Sequence, residues 1–397
     1  MRIVYCIPAT SNSGGMERVL TRKVNYLVGQ GHELIIVTTD QKGAKPFFPL
    51  DESVKQYDLG INYDENNGQG IFAKLSAYPK KKRLHRQRLS ELLGQLRANI
   101  VVSMFGDDAT LLPQMKDGSR KVLEYHFSKL KRLQYGRTGL WRLVDILRTK
   151  LDERTVRPYD SFVVLTEEDA SYWGALPNIR VIPNPLPFVS EETSPCTSHK
   201  IIAVGRYDFQ KNFAKLLDLW GRIAPAYPDW SLDIYGDGAL RKELEFQVNR
   251  LGLSSSVTLA KPTHQMKDVY QSASIYAMTS RYEGLPMVLI EAQHMGLPIV
   301  SFACPCGPKD VVHSGEDGYL ISQGDDEGFL TALRQLMDSE TERVRMGANA
   351  RKASARYDVD AVMGLWLDLF SSLVPNKSSE VGSKSLSPQL TSAKGGH

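Results

Sequence analysis

Short runs of apolar, often β-branched residues alternate with longer amphipathic stretches, and this alternation occurs twice along the chain. Such a pattern predicts βαβ units, in which a mostly parallel sheet is covered by helices on both faces. The chain has 397 residues, which exceeds the size at which one hydrophobic core usually stops growing. We therefore expect an α/β protein of two similar domains with a cleft between them.

The pattern divides the chain into five segments: an N-terminal domain (1–182), a Pro- and Ser-rich linker (183–199), a C-terminal domain (200–357), a last amphipathic helix (358–374) and a tail (375–397) that we expect to be disordered. Strands are predicted at residues 3–7, 34–38, 100–104, 121–125, 161–165, 201–204, 231–235, 257–260, 274–278 and 298–302. Helices are predicted at residues 16–29, 71–97, 140–156, 213–223, 240–250, 287–294, 327–337, 342–356 and 359–374.

Several classes of protein do not fit the sequence. No apolar run reaches the ~20 residues that a membrane-spanning helix needs, and residues 1–8 suit a buried strand better than a signal peptide. The four cysteines have neither zinc spacing nor the pattern of a disulfide framework, which favours a reducing cytoplasm. Residues 76–158 hold 19 Lys or Arg against 8 Asp or Glu, in a chain of net charge +4, so this part is expected to meet an anionic partner.

Two glycine-containing turns follow strands and suit an anion. Gly14 and Gly15 open the first helix, where backbone N–H groups can approach a phosphate closely. The alternative interpretation of the two glycines is a plain tight turn. The dinucleotide-binding and P-loop spacings are both missing. After the first strand of the second half, Gly205-Arg206 and Lys211 supply two cations for a diphosphate, or else form a solvated loop. Gly236 ends a later strand and leaves room for a nucleotide, although by itself it suggests a turn.

Residues 280–292, SRYEGLPMVLIEA, place Glu283 and Glu291 eight positions apart around a Gly-Leu-Pro. As an ordinary helix start, Pro286 lies in the first turn and Glu291 is solvated. If the stretch is instead part of a binding site, the N-terminus of the helix directs its free N–H groups at an anion that lies beyond the carboxyl ends of the strands. Phosphate repels carboxylates, so the two glutamates would accept hydrogen bonds from sugar hydroxyls.

In these residues the chain resembles the retaining nucleotide-sugar glycosyltransferases of family 4, over roughly residues 1–374. The glutamate pair with Gly-Leu-Pro, Gly205-Arg206 with Lys211, and Gly14-Gly15 with Glu17 occur in the family's order. The resemblance implies a GT-B fold, in which two Rossmann-like domains face each other across a cleft and the C-terminal helix crosses back to the N-terminal domain. The N-terminal domain (1–182) would bind the acceptor and the C-terminal domain (200–357) the nucleotide sugar. Two loops depart from the family: Asn212 stands where Gly is usual, and Asn184-Pro185-Leu186 replaces Asn-Gly-Val.

The resemblance also implies residue roles. Gly14, Gly15, Arg206 and Lys211 would hold the donor diphosphate, Glu283 the hydroxyls of the donor sugar, and Glu291 the ribose. The base would lie near Lys261 and Pro262, and His126 would lie near the donor sugar and the acceptor. The implied catalytic residues are His126, Arg206, Lys211 and Glu283. The remaining donor-binding residues are Gly236, Gly284, Leu285, Pro286, Met287 and Val288.

The implied reaction transfers a hexose or N-acetylhexosamine, with retention at the anomeric carbon, from a nucleotide sugar that we expect to be a UDP-sugar. It is expected to need neither a metal ion nor a cofactor. The Asp358-Val359-Asp360 motif reads as a helix start rather than a metal site. Three alternatives stay open: a silent sugar-nucleotide-binding protein, a sugar-nucleotide epimerase of the same architecture, and a paired-carboxylate hydrolase, which would need both carboxylates to flank one bond.

The basic segments point to the acceptor. One cluster opens a predicted helix, and a second basic stretch with interleaved leucines covers residues 129–150, a composition typical of membrane-surface segments but also of solvated helices. No nucleic-acid-binding module accompanies the charge. The resemblance favours a polyprenyl-diphosphate-linked saccharide acceptor, with the enzyme peripheral on the inner face of the cell membrane in cell-surface polysaccharide or oligosaccharide synthesis. The first cluster consists of Lys80, Lys81, Lys82, Arg83, Arg86 and Arg88.

Overall fold

Two parallel β-sheets, one in each half of the chain, form the framework of the protein. The computed structural model describes residues 1–66, 71–135 and 137–374, without the side chains of residues 71–76 and 135. The predicted tail, 375–397, lies outside the described residues. No helix in the described ranges has the length and hydropathy required to cross a bilayer.

The N-terminal sheet has seven parallel strands in the order β3-β2-β1-β4-β5-β6-β7. Its central strands are buried on both faces, which explains their continuous apolar sequences. The strands are β1 (Arg2–Ile7), β2 (Glu33–Thr38), β3 (Lys55–Asp58), β4 (Ile100–Ser103), β5 (Arg120–Glu124), β6 (Ser161–Val164) and β7 (Ile179–Val181). The helices of this half are α1 (Gly15–Gly29), α2 (Ile71–Leu96), α3 (Leu140–Val156) and α4 (Glu167–Trp173).

The C-terminal sheet has six parallel strands in the order β10-β9-β8-β11-β12-β13. The strand order reverses between β8 and β11, and ligands of open parallel sheets bind at the carboxyl ends beside such a reversal. The strands are β8 (Lys200–Val204), β9 (Ser231–Tyr235), β10 (Val257–Ala260), β11 (Ile275–Met278), β12 (Ile299–Phe302) and β13 (Gly318–Ile321). The helices are α5 (Phe213–Ile223), α6 (Arg241–Arg250), α7 (Met266–Gln271), α8 (Met287–His294), α9 (Pro308–Val311), α10 (Asp326–Asp338) and α11 (Glu340–Ala353).

The last helix, α12 (Val359–Leu373), returns to the N-terminal half. Its apolar face, with Trp366 and Phe370, packs into the same core as Ile3 and Tyr5 of β1. Arg120 of β5 also donates to the carbonyl of Leu373 over 3.1 Å. The predicted GT-B arrangement, including the crossing helix, is therefore confirmed.

The polypeptide passes between the halves at two places. Residues 182–199 contain neither helix nor strand, yet Leu186 in this segment is fully buried. The second passage precedes α12, and the two passages touch where the Leu186 N–H donates to the Tyr357 carbonyl over 2.8 Å.

The sequence missed the smallest elements. The strands β3, β7 and β13 have three or four residues, and all four residues of β3 are exposed, so no apolar periodicity marks this edge strand. The short helices α4, α7 and α9 were also not predicted. Elsewhere the predicted boundaries differ from the observed ones by a few residues; residues 342–356, for example, are replaced by α11 and a following turn of 3₁₀ helix.

Candidate active site

A cavity of about 220 Å³ lies between the two halves, beyond the carboxyl ends of β5, β8 and β11. Both halves contribute to its wall, as the reversal of strand order in each sheet leads one to expect. The N-terminal half provides Phe127, Ser128 and Lys131, and the C-terminal half provides Arg206, Gln210, Tyr282, Glu283 and Gly284.

Lys211 and Glu283 form an ion pair beside this cavity. The Lys211 Nζ lies 2.7 Å from the Glu283 Oε1, and their side chains are 14% and 5% exposed. Gln210 Nε2 donates to the other carboxylate oxygen over 3.1 Å. The Lys211 N–H donates to the Asp208 Oδ1 over 3.0 Å, which fixes the loop after β8. Glu283 is thus held on both oxygens in a fixed orientation toward the cleft.

Arg206 has a different environment from Lys211. Its side chain is 76% exposed, and its only ion pair within the described residues is with Asp208, at 3.2 Å between Nη2 and Oδ2. A weakly held, exposed guanidinium at the cavity wall is free to reorient toward an anion.

The first turn of α8 faces the same region. The N–H of Leu289 donates to the Pro286 carbonyl over 2.9 Å, whereas the described residues offer no acceptor to the N–H groups of Met287 and Val288. The helix begins at Met287, as the predicted range 287–294 has it, and Pro286 stands just before it. Free N–H groups at a helix start of this kind attract anions by up to ~2 kcal/mol.

Gly284 and Gly307 allow a close approach of backbones at this helix start. A Cβ on Gly284 would lie 3.2 Å from the His126 carbonyl oxygen of the other half. A Cβ on Gly307, whose φ is +101°, would lie 2.4 Å from the Pro286 Cδ. Larger residues here would push the loop at residue 284 away from the N-terminal half.

Glu291, the second glutamate of the motif, lies on α8 in a buried position. Its Oε2 accepts a hydrogen bond from the Tyr270 hydroxyl over 2.7 Å. Burial raises the pKa of Glu291, while the Tyr270 hydrogen bond and the charges of Arg18 and Lys211 act in the opposite direction. Because Arg18 belongs to α1, the charges of the N-terminal half reach this carboxylate.

Gly205 and Gly236 directly follow β8 and β9, as the sequence predicted, whereas Gly14 and Gly15 lie well beyond the end of β1, at the start of α1. Gly14 immediately precedes α1, and no atom would lie within 4 Å of a Cβ on Gly15, which leaves open space beside that backbone. A Cβ on Gly236 would lie 1.9 Å from the Gly205 carbonyl oxygen, so the loops after β8 and β9 require glycine to pack together. Lys261 and Pro262 follow the outermost strand, β10, and are exposed.

His126 belongs to a buried charged group. Its Nε2 lies 3.2 Å from the Glu124 Oε1, although without hydrogen-bond geometry. The other oxygen of Glu124 accepts from Lys23 of α1 over 2.6 Å, and the Lys23 Nζ lies 3.5 Å from the centroid of the Trp366 ring. Burial alone would raise the pKa of Glu124, but the charges of Lys23 and His126 outweigh it and lower this pKa to about 2.

A set of polar contacts connects the halves near the cavity. The Glu168 carboxylate of α4 accepts from the N–H groups of Cys306 and Gly307, over 3.0 and 3.2 Å. The neighbouring Glu167 N–H donates to the Asp310 Oδ1 over 2.7 Å. The N-terminal half therefore contacts the loop that supports the start of α8.

Some side chains of the predicted basic cluster already contact other parts of the protein. Lys81 donates to the Asn62 carbonyl and pairs with Glu65 at 3.4 Å, and Arg88 donates to the carbonyls of Leu59 and Gly60. Burial lowers the pKa of Lys82. The other three cations of the cluster, Lys80, Arg83 and Arg86, are exposed.

The structure brings together most of the residues singled out from the sequence and adds others. Gln210 at the cavity was missed, because nothing in its local sequence distinguishes it from surface residues, whereas Lys131 belongs to the basic stretch 129–150 that the sequence assigned to the acceptor side. A signal for Lys23 was present in the sequence, since it occupies an apolar-periodic position on the buried face of α1 between Leu20 and Val24.

Within the described ranges, no group of three or more His, Cys, Asp or Glu is arranged to hold a metal ion. The predicted start of a helix after Asp358 is observed.

Known family models match both halves of the chain. "Glycosyltransferase Family 4" matches residues 13–187, and "Glycosyl transferases group 1" matches residues 189–353.

Three curated relatives align with nearly the whole chain. An uncharacterized glycosyltransferase of Haemophilus influenzae is 30% identical over 372 residues, covering 92% of this chain and 98% of the relative. The amylovoran biosynthesis glycosyltransferase AmsD of Erwinia amylovora is 28% identical over 385 residues, covering 93% and 99%. An α-1,4-N-acetyl-D-galactosaminyltransferase of Campylobacter jejuni, whose name specifies an undecaprenyl-diphosphate-linked acceptor, is 25% identical over 377 residues, covering 94% and 98%.

Solved structures share the fold. TarM superimposes with a TM-score of 0.77 at 15% identity, covering 93% of this chain and 98% of its own. A mutant of S. aureus TarM, solved in complex with fondaparinux, α-GlcNAc-glycerol and UDP, gives 0.74 at 15%, covering 93% and 99%. Because the two family models match both halves and a relative at 30% identity covers 92% of the chain, the chain belongs to the family 4 glycosyltransferases of the GT-B fold.

Proposed function

We propose that the protein transfers a hexose or N-acetylhexosamine, with retention, from a UDP-sugar to a saccharide carried on polyprenyl diphosphate. The observation that carries this proposal is the Lys211–Glu283 pair, with Arg206, at an interdomain cavity beside the free N–H groups of α8. The Campylobacter relative, whose name gives an undecaprenyl-diphosphate-linked acceptor, supports the acceptor class, and AmsD is named for the biosynthesis of amylovoran. The UDP in the TarM complex supports the nucleotide.

The donor would lie along the edge of the C-terminal sheet. Its diphosphate would meet Arg206, Lys211 and the first turn of α8, with Gly15 approaching from the N-terminal half. Glu283 would accept hydrogen bonds from the donor sugar, since Lys211 and Gln210 already fix its carboxylate. Glu291, buried and bonded to Tyr270, would take the ribose hydroxyls, and the base would extend toward Lys261 and Pro262.

The chemistry would depend on stabilising the leaving group. As the bond from the anomeric carbon to the diphosphate breaks, the acceptor hydroxyl forms the new bond on the same face, and its proton passes to the departing diphosphate oxygen. Arg206, Lys211 and the helix start would stabilise the charge that develops on that oxygen, so the reaction needs no metal. His126 would contribute near the donor sugar and the acceptor, in the orientation set by Glu124.

Membrane contact would bring the enzyme to a lipid-linked acceptor. Four leucines recur along one side of α3 and are 54–74% exposed, namely Leu140, Leu143, Leu147 and Leu151. Exposed cations on α3 lie among them, and Lys80, Arg83 and Arg86 on α2 are exposed as well. Such a surface suits insertion at the interface of an anionic membrane, here the inner face of the cell membrane.

Vesicle flotation tests this contact. Leu143→Asp with Leu147→Asp should abolish binding to anionic vesicles at low salt, and neutralising Lys80 to Arg83 should weaken it. Phe246→Asp is the matched control, because Phe246 is 69% exposed on α6 of the other half. Equal binding by all these variants would exclude the proposed membrane surface.

A donor panel tests the activity itself. UDP-, GDP- and ADP-sugars are incubated with a polyprenyl-diphosphate-saccharide extract, and products are followed by mass spectrometry and NMR, with Glu283→Ala as control. Acceptor-dependent UDP release that the variant loses, with an α-linked product from an α-donor, is the expected result. Binding of donor without turnover would identify a silent binder, conversion of donor without acceptor an epimerase, and sugar release from a simple glycoside a hydrolase.

A further inference from the structure

The strands β8 and β11 lie side by side where the order of the C-terminal sheet reverses. Their parallel pairing covers only two residues of each strand and ends at Ile202 and Tyr276. Beyond this point the Tyr276 hydroxyl lies between the strands, accepting from the Val204 N–H over 3.2 Å and lying 3.3 Å from the Val204 carbonyl oxygen. The backbone hydrogen bonds of the sheet therefore do not fix the separation of the loops that follow, residues 205–212 (the β8 loop) and 279–286 (the β11 loop).

The Lys211–Glu283 ion pair joins these two loops, but a bound donor competes for both of its members. In the proposed function, Lys211 contacts the donor diphosphate, and Glu283 accepts hydrogen bonds from the donor sugar. Each partner then shares its charge with the substrate, so the 2.7 Å contact between them weakens when the site is filled. The separation of the loops during the reaction must depend on contacts that the donor does not touch.

Asn212, the last residue of the β8 loop, provides such contacts through its side chain. Its Nδ2 donates to the Thr279 carbonyl over 3.2 Å, and its Oδ1 accepts from the Arg281 Nη2 over 2.8 Å. The Thr279 hydroxyl donates in turn to the Asn212 carbonyl over 3.1 Å. Thr279 is fully buried, which strengthens these bonds and shields them from water. Three hydrogen bonds thus join one residue of the β8 loop to two residues of the β11 loop.

Arg281 extends this connection along the β8 loop. Its main-chain N–H donates to the Gln210 carbonyl over 2.8 Å, and its guanidinium carbon lies 4.4 Å from the centroid of the Phe209 ring. A planar guanidinium can stack on an aromatic ring and donate from its edge at the same time, which a lysine ammonium cannot do. Neither Asn212 nor Arg281 is among the described residues that line the interdomain cavity.

The backbone of Asn212 limits which residues can make this connection. It has a φ of +55° and a ψ of +40°, directly before the first residue of α5. Glycine adopts this left-handed conformation freely, and asparagine tolerates it better than most other residues. Glycine would satisfy the backbone but would provide no side chain to join the loops, whereas asparagine does both.

We propose that Asn212 and Arg281 are positioning residues, which hold the β8 and β11 loops at a fixed separation while the donor draws Lys211 and Glu283 away from each other. The diphosphate and the sugar then meet their partners in one geometry, and the transition state is stabilised without a rearrangement of the loops. The inference rests on the proposed function, because it assumes that both members of the ion pair contact the donor.

Asn212→Gly is the main test, because it keeps the left-handed backbone and removes only the side-chain hydrogen bonds. Asn62→Gly is the matched control: Asn62 also has a φ of +55°, lies in the N-terminal half, and its Oδ1 has no hydrogen-bond partner among the described residues. Arg281→Ala removes the other side of the connection and leaves its main-chain bond in place. Circular dichroism and thermal denaturation establish that each variant is folded.

The transfer reaction and UDP binding should respond differently to Asn212→Gly. The kcat should fall about tenfold or more, because small misplacements of reacting groups are costly. Affinity for UDP should stay within about threefold of the wild type, because the side chains of Arg206 and Lys211 can follow the diphosphate.

The remaining variants test whether the two residues act together. Arg281→Ala should give the same pattern, the double variant should be little worse than either single variant, and Asn62→Gly should match the wild type. A wild-type kcat for Asn212→Gly, equal losses of kcat and UDP affinity, or strictly additive effects would overturn the proposal.

Hydrogen–deuterium exchange tests the connection without turnover. In the UDP-bound full chain, the Arg281 amide, which donates to the Gln210 carbonyl, should exchange about tenfold or more faster in Asn212→Gly than in the wild type or in Asn62→Gly. Unchanged exchange would also overturn the proposal. Failure of the proposed function is seen separately, as a wild type that binds UDP and transfers no sugar, and the exchange rates then still decide whether Asn212 holds the loops together.

Discussion

The buried Lys23–Glu124 pair gives the sharpest test of the electrostatics around the cleft. Glu124→Gln removes the only carboxylate that contacts the Lys23 ammonium within the described residues. Both side chains are 1% exposed, so water cannot replace the lost partner. Breaking a buried pair on one side costs about 3–5 kcal/mol.

The pKa of Glu124 gives an independent magnitude. A carboxyl whose pKa falls from 4.5 to about 2 on folding contributes roughly 3 kcal/mol at neutral pH. This contribution is complete above about pH 4.5 and is lost as the pH falls toward 2. The difference in stability between wild type and Glu124→Gln should therefore be largest near neutral pH and shrink below pH 4.5.

Urea and thermal denaturation measure the effect, with a double-mutant cycle. The expected loss lowers Tm by about 6–20 °C for a domain of this size. Lys23→Met combined with Glu124→Gln should be less destabilised than the sum of the single variants, because burial already lowers the pKa of Lys23 and the methionine removes that cost. A single variant within about 1 kcal/mol of wild type, or strict additivity, would refute the reasoning.

Three further outcomes are expected. Lys211→Met removes a charge-assisted bond worth about 1.5–3 kcal/mol, so calorimetry should show UDP affinity reduced roughly 10- to 150-fold; a change below threefold would contradict its role. Transfer should proceed at full rate in EDTA, and strict dependence on an added divalent metal would exclude the metal-free mechanism. Gly236→Ala should lower both Tm and UDP affinity, because its Cβ would meet the Gly205 carbonyl at 1.9 Å. The control is Gly364→Ala on α12, where the space around the glycine is open, and this variant should be more stable than the wild type by up to about 1 kcal/mol. Equal changes in Tm for the two variants would show that the close approach of the loops is unimportant.

Local pattern predicts the parts of this fold that are buried on both sides. β1 and β8 are continuous apolar runs, and the turns that follow them had to lie at the carboxyl edges of their sheets. The edge strand β3 could not be found in this way, because its four residues are all exposed and its pairing with β2 is a tertiary event.

The charged residues of the site also fall into two groups, those that a short sequence motif reveals and those that only the folded chain brings together. Arg206, Lys211 and Glu283 occur in short motifs, so their types and spacing were visible. Lys23 and Glu124 are 101 positions apart, and only the folded sheet brings them within 2.6 Å.

The double passage of the chain between its halves restricts how the cleft can open. A single linker would let one half swivel about it in any direction, but here the two passages are tied together by the Leu186–Tyr357 hydrogen bond. The Arg22 guanidinium of α1 also donates to the Pro187 carbonyl, over 3.0 Å. The halves therefore share one pivot, and displacement grows with distance from it. The contacts of Glu168 with Cys306 and Gly307 lie near this pivot, because the carbonyl of the neighbouring Asp310 accepts from the Tyr357 hydroxyl over 3.2 Å, so these contacts would change least as the cleft opens.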